Sequence, residues 1–196
     1  TTPICMMSNA IELRSWLRMT ELDQINAPEL AARIAEAEHE KVQGEPRSYP
    51  GFPKWQLPSS TTRWSPSMDA VLRRRRSHHA LETTFPPQAV LARILQGAHG
   101  ITGEAFRGPV PSAGGLQALE IYLVHWRGAW LPRGVYHYDR RDNHLSQIRA
   151  NCQEAEWRIR IPSLHQVSGG ALLWVLVGDG RLVSMKYGER GGRFLL

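Results

Sequence analysis

The sequence predicts a mixed α+β fold. Three observations carry this expectation. Segments of helical and strand period follow one another in the order helix, helix, strand, hairpin, strand, helix, with no internal repeat. The apolar run ALLWVLV at 171–177 reads as a central strand buried on both faces. The 196 residues, 42% hydrophobic and 21% charged, suit a globular domain with an ordinary core rather than a disordered, fibrous or coiled-coil chain.

Each element has its own local signal. Residues 28–42 form a helix opened by Pro28, with Leu30, Ile34 and Ala37 as a thin apolar stripe. Residues 44–66 hold five prolines and little periodicity, so they form an arm; Trp55, Leu57 and Trp64 give it apolar groups with which to dock. These features divide the chain into an N-terminal helical segment and proline-rich arm, 1–64, and a main domain, 65–196. SPSMDAVLRRRR follows as a helix capped by Ser65 or Ser67, with Asp69 in its first turn. Pro86 and Pro87 open the next helix, whose stripe is Leu91, Ile94, Leu95 and Ala98. A glycine- and proline-rich loop at 100–115 precedes a strand at 120–126. Residues 134–138 and 145–148, joined by DRRDNH, form a hairpin. A short helix at 153–158, the 171–177 strand and a helical stretch from 181 complete the chain.

Composition narrows the function classes. Lys plus Arg is 24 and Asp plus Glu is 18, a net charge of +6. Lys41, Lys54 and Lys186 are the only lysines, so the positive charge is carried by arginine, whose planar fork suits phosphate and carboxylate. No apolar run approaches the ~20 residues of a membrane span, and the start shows no basic region followed by an apolar one, so a cytoplasmic protein without membrane association is expected. Cys5 and Cys152 stand far apart, and the histidines show no ligand spacing. No metal site and no disulfide framework are expected.

The run Arg73–Arg76 followed by Ser77 is the most conspicuous local feature. Met68, Val71 and Leu72 define the apolar stripe of its helix. Extending that stripe by three, four and seven residues places Arg75 and Arg76 on the inward face. Two inward arginines and a serine would form a phosphate socket, and the same geometry argues against a nucleic-acid surface. A solvated basic helix end remains the alternative.

Four motifs then occur in order: RRSHHAL (75–81), RGPVPSAGGLQALEIYLV (107–124), GVYHYD with a following HL (134–139, 144–145), and MKYGERGGRF (185–194). Together they resemble the nitroreductase superfamily, and most closely its SagB-type dehydrogenase branch. The resemblance runs from about Leu57 onward. It implies a nitroreductase-like sheet flanked by helices, incomplete at the C-terminus, because the family continues beyond the last motif into a long helix and further strands. It implies FMN as cofactor, with Arg75 and Ser77 on the phosphate and Arg76 assisting. His79 stands where the family has a second Arg or Lys, and Leu81 where it has an aromatic residue. Pro111, Ser112, Ala113 and Gly114 would lie against the isoalloxazine, where small residues let backbone N–H groups approach. Lys186 and Tyr187 match the Lys-Tyr pair assigned to catalysis in azoline dehydrogenases: the tyrosine takes a carbon-bound proton, the lysine supports it, and the hydride goes to flavin N5. The substrate would be a peptide or small molecule. The protein would be a homodimer, or a partner subunit would complete the fold. The competing reading is an inactive or truncated relative that serves as a structural partner.

Overall fold

The computed structural model describes residue 13 and residues 15–23, 26–59 and 66–195. The chain forms two compact units: 1–44 with 112–118 and 178–196, and 45–111 with 119–177. Thr1 to Cys5 and 60–65, with Trp64 and Ser65, lie outside the described residues, as does Leu196.

The larger unit is organised by a five-stranded sheet. Its strands are β1 (Lys54–Gln56), β3 (Leu119–His125), β4 (Gly134–Asp139), β5 (His144–Ala150) and β7 (Leu173–Gly178), in the spatial order β1-β5-β4-β3-β7. The β1–β5, β5–β4 and β4–β3 pairings are antiparallel. A small parallel pair joins β2 (Ala80–Leu81) to β6 (Ser168–Gly169). Helix α3 (Gln88–His99) covers the sheet with Leu91, Ala92 and Leu95, which pack with Ile121, Leu123, Leu131, Tyr136, Tyr138 and Leu145. Helices α2 (Met68–Arg74) and α4 (Glu154–Arg160) belong to the same unit. The expected α+β architecture, an antiparallel sheet flanked by helices, is therefore present.

Three local readings are corrected by packing. The strands buried on both faces are β3 and the polar β4, not the apolar run: β7 lies at the sheet edge, and Leu176 and Val177 are exposed. The polar text GVYHYD hid this because its buried polar group is partnered. Tyr136 and Tyr138 face the apolar core, while the buried His137 Nε2 meets Glu120 Oε2 at 2.8 Å on the other face. In α3 the buried set is Leu91, Ala92, Leu95 and His99, with Ile94 and Ala98 exposed. Two overlapping stripes fit this helix, and the sheet selected the one shifted from Ile94 and Ala98 to Ala92 and His99. Helix α2 buries no residue: Met68, Val71 and Leu72 are exposed, so its stripe faces no core.

The proline-rich arm docks as its tryptophan suggested. Trp55 sits in β1 opposite Leu145 and meets Tyr136 edge-on, with ring centroids 5.4 Å apart. Leu57 is buried in the core. Earlier in the arm, Tyr49 hydrogen-bonds Tyr122 (2.7 Å) and stands 5.0 Å from the His137 ring. The arm thus contributes to both faces of β4, since alternate side chains of a strand point to opposite faces.

The buried histidines have a consequence for stability. Burial lowers the pKa of His99, His125 and His144, and the Arg140 guanidinium adds to this at His99. The unfolded chain titrates near 6.5, so it binds protons that the folded chain refuses. Stability is expected to be level above about pH 7 and to fall as the pH drops from there toward 5. Urea unfolding followed across that range checks this; constant stability between pH 7 and 5 contradicts it.

The smaller unit contains α1 (Ala27–His39), α5 (Gly180–Tyr187) and the turn 112–118. Pro28 lies in the first turn of α1, as expected. The core of this unit is Leu116, Ala118 and Val183, with Val42, Leu182, Tyr187 and Leu195 packed against it. After α5 the chain does not continue as an α-helix; 188–194 form a 3-10 segment. Leu195 packs against the Leu116, Ala118 and Val183 cluster.

Candidate functional site

The turn PSAGG is shaped by its serine and glycines. Ser112 Oγ accepts the Gln117 N–H at 2.8 Å, and the Gly115 N–H donates to the Ser112 carbonyl. Ala113–Gly115 form one turn of 3-10 helix, with Gly114 at φ 59. That backbone region favours glycine. The turn is tied to α5 through the N-cap of that helix. The Asp179 side chain accepts the Leu182 N–H (3.1 Å), while its own N–H donates to the Ala118 carbonyl (2.7 Å). Leu116 and Ala118 then pack on Val183.

This arrangement brings two distant motifs together. A Cβ at Gly114 would collide with the Tyr187 hydroxyl and would lie 3.0 Å from Lys186 Nζ. Lys186 and Tyr187 therefore converge on the open Cα face of Gly114, and only glycine permits the approach. Lys186 is 6% exposed, and its Nζ makes an ion pair with Glu38 Oε1 of α1 at 3.2 Å. The Tyr187 ring packs against Phe194, with centroids 4.5 Å apart. Chemically, this set offers a phenol oxygen, an adjacent cation and a backbone without side-chain cover.

A cleft of about 220 Å³ lies in the same unit, with Tyr187 and Gly188 in one wall and Leu30 and Arg33 of α1 in another. Arg190 and Arg193 tie this segment to residues 17–20. Arg190 donates to the Thr20 carbonyl, and Arg193 donates to Thr20 Oγ1 and the Leu17 carbonyl. Sequence reading missed Glu38 and the cleft. Glu38 sits in an acidic, weakly patterned helix, and nothing local distinguishes it from Glu36 or Glu40.

The arginine motif belongs to the larger unit and departs from the expected geometry. Arg75, Arg76, Ser77 and His79 are all exposed, just beyond the end of α2. Arg75 and Arg76, expected on an inward face, are solvent-exposed instead. The apolar stripe they continue is itself exposed, so nothing draws them in. With these arginines solvated, the geometry of α2 does not exclude a nucleic-acid surface. Arg75 and Ser77 are brought together, with Nη1 donating to Oγ at 3.2 Å. Arg76 turns back onto the carbonyls of Arg73 and Arg75. The His79 carbonyl accepts the Ser168 N–H, which anchors the turn to the β2–β6 pair. Pro111 is exposed, and Ser112 and Ala113 are half-buried.

Asp139, Asp142 and His144 each bring a ligand atom within 4.8 Å of the others. Asp139 Oδ1 already accepts the N–H groups of Arg141 and Asp142, which closes the β4–β5 turn without an ion. Cys152 is a free, buried thiol. Among the described residues no helix is long and apolar enough to cross a membrane.

No protein-family model and no curated protein matches the chain. Solved structures do, and the fold they share with it is that of the nitroreductases. One, described as a nitroreductase from Anabaena variabilis, aligns with a TM-score of 0.57 at 17% identity over 92% of this chain. The chain spans about a third, 34%, of that protein's length. Another, described as a nitroreductase from Ralstonia eutropha, aligns with a TM-score of 0.58 at 19% identity, covering 77% of this chain and 68% of the other. A third is the Escherichia coli microcin synthetase McbBCD complex with truncated pro-MccB17 bound. It has a TM-score of 0.50 and 17% identity, covering 89% of this chain and 77% of its match.

Proposed function

We propose that this protein is an FMN-dependent oxidoreductase of the SagB type, which oxidises azolines in a peptide to azoles. The observation that carries the reading is the convergence of Lys186 and Tyr187 on the bare Cα face of Gly114. Oxidising an azoline removes one carbon-bound proton and one hydride. FMN, when bound, would supply the two-electron acceptor for the hydride, with an external oxidant such as oxygen closing the electron balance. Tyr187 takes the proton, and the Lys186 charge stabilises the negative oxygen. Arg75 and Ser77 would hold the phosphate, with Arg76 and His79 assisting, and Pro111, Ser112, Ala113 and Gly114 would serve the isoalloxazine. The likeness to a synthetase complex holding truncated pro-MccB17 agrees with a peptide substrate and with a partner subunit or second copy. Residues 65–196 form the flavin-binding domain in this reading, and the cytoplasm is its compartment.

Titration of the protein with FMN, followed by flavin fluorescence, tests the reading. Saturable binding is expected. Arg75→Ala with Ser77→Ala should weaken it by at least about 100-fold, because charge-assisted hydrogen bonds contribute roughly 1.5–3 kcal/mol each and two are lost. Unchanged affinity in the double variant removes the phosphate assignment. A protein that binds no FMN favours the alternative, a nitroreductase-like structural partner without flavin.

A further inference from the structure

We infer that Glu38 is a positioning residue for Lys186: it holds the ammonium against Gly114, beside the Tyr187 hydroxyl. This rests on the proposed oxidoreductase reading for its catalytic consequence, though not for the contact itself. Three facts combine. Lys186 is nearly inaccessible, at 6% exposure. A cation there requires a counter-charge, because an unpaired buried charge is costly. Among the described residues, the ion pair Lys186 makes is with Glu38 Oε1, at 3.2 Å.

The geometry explains why the placement is not set by α5 alone. Lysine carries its charge on a flexible four-carbon stem that readily reaches for water. The stem passes Gly114, whose added Cβ would sit 3.0 Å from both Cδ and Nζ. Packing along the stem limits its path, but the terminal nitrogen needs a polar anchor. Glu38 provides it from α1, 148 residues earlier in the chain. Its own side chain is 64% exposed, so the carboxylate stays hydrated on one side while one oxygen meets the ammonium. Replacing it removes a charge from the surface and leaves the core of the unit intact.

The test uses Glu38→Gln and Glu38→Asp in the full chain. The chain has three lysines, and Lys41 and Lys54 are exposed, so they are internal references for acetylation read by peptide mass. Glu38→Gln is expected to speed Lys186 acetylation about fivefold relative to both references, the factor that corresponds to losing ~1 kcal/mol of ion pairing. Glu38→Asp, with its charge retained, should fall between. In parallel, Glu38→Gln should lower kcat on a thiazoline-containing peptide about tenfold, with KM and FMN affinity unchanged, because a misplaced group loses only transition-state interactions. Acetylation unchanged in Glu38→Gln overturns the inference. A wild-type protein that binds no FMN overturns the oxidoreductase reading instead, while the acetylation result still decides the contact.

Discussion

Tyr187→Phe is expected to reduce turnover of a thiazoline-containing peptide by roughly 10²- to 10⁴-fold, the range for a lost general base, with FMN affinity unchanged. The substitution isolates the hydroxyl. The phenyl ring keeps its packing against Phe194 at 4.5 Å and its place in the cluster with Leu116, Ala118 and Val183. What disappears is the oxygen that sits over Gly114 beside Lys186 Nζ. In the proposed reading, proton removal then has no positioned acceptor, while the groups assigned to the phosphate are untouched. Steady-state kinetics with a parallel flavin titration separates the two effects. Retained kcat means that another group takes the proton. Loss of FMN binding means that the hydroxyl serves the cofactor instead.

Tyr136→Ala is expected to lower folding stability by about 3–5 kcal/mol, the usual cost of truncating a fully buried aromatic residue. Tyr136 is 0% exposed in the middle strand of the sheet. Its hydroxyl donates to the Pro132 carbonyl at 2.6 Å and accepts from Gln147 Nε2 at 2.9 Å. Its ring meets Trp55, which the arm brings to the sheet. Alanine would leave a cavity and strand both polar partners, whereas Tyr136→Phe should cost only ~1–2 kcal/mol because the ring volume stays. At about 2–4 °C per kcal/mol for a chain of this size, Tyr136→Ala should lower Tm by roughly 10 °C. Thermal unfolding of both variants checks the order, and an equal effect of the two would mean that the hydrogen bonds, not the packing, dominate.

Much of the element order was legible because it rests on local rules. Ser67 caps α2 through the Ala70 N–H, Pro28 opens α1, and the hairpin pairs Tyr138 with Leu145. Strand burial was not legible. ALLWVLV is more apolar than GVYHYD, yet the latter lies at the centre. Hydrophobicity along a chain ranks strands correctly only when buried polar groups are absent, and here Glu120 partners His137 from another strand. The inward arginines failed for a related reason: Met68, Val71 and Leu72 form a stripe, but a stripe buries only where a partner surface exists.

The candidate site divides the same way. The sequence alone determined which residue types stand at PSAGG and Lys-Tyr, and the motif resemblance singled them out, because such signals are properties of short contiguous segments. Only the tertiary structure decided that Gly114 meets Lys186 and Tyr187, and that Glu38 pairs with the buried ammonium. Those contacts join positions 38, 114 and 186. They depend on the Asp179 cap and the Leu116–Val183 packing that hold the segments together. Charge pairing and close approach are set by distance in space, and no period or spacing along the chain encodes that distance.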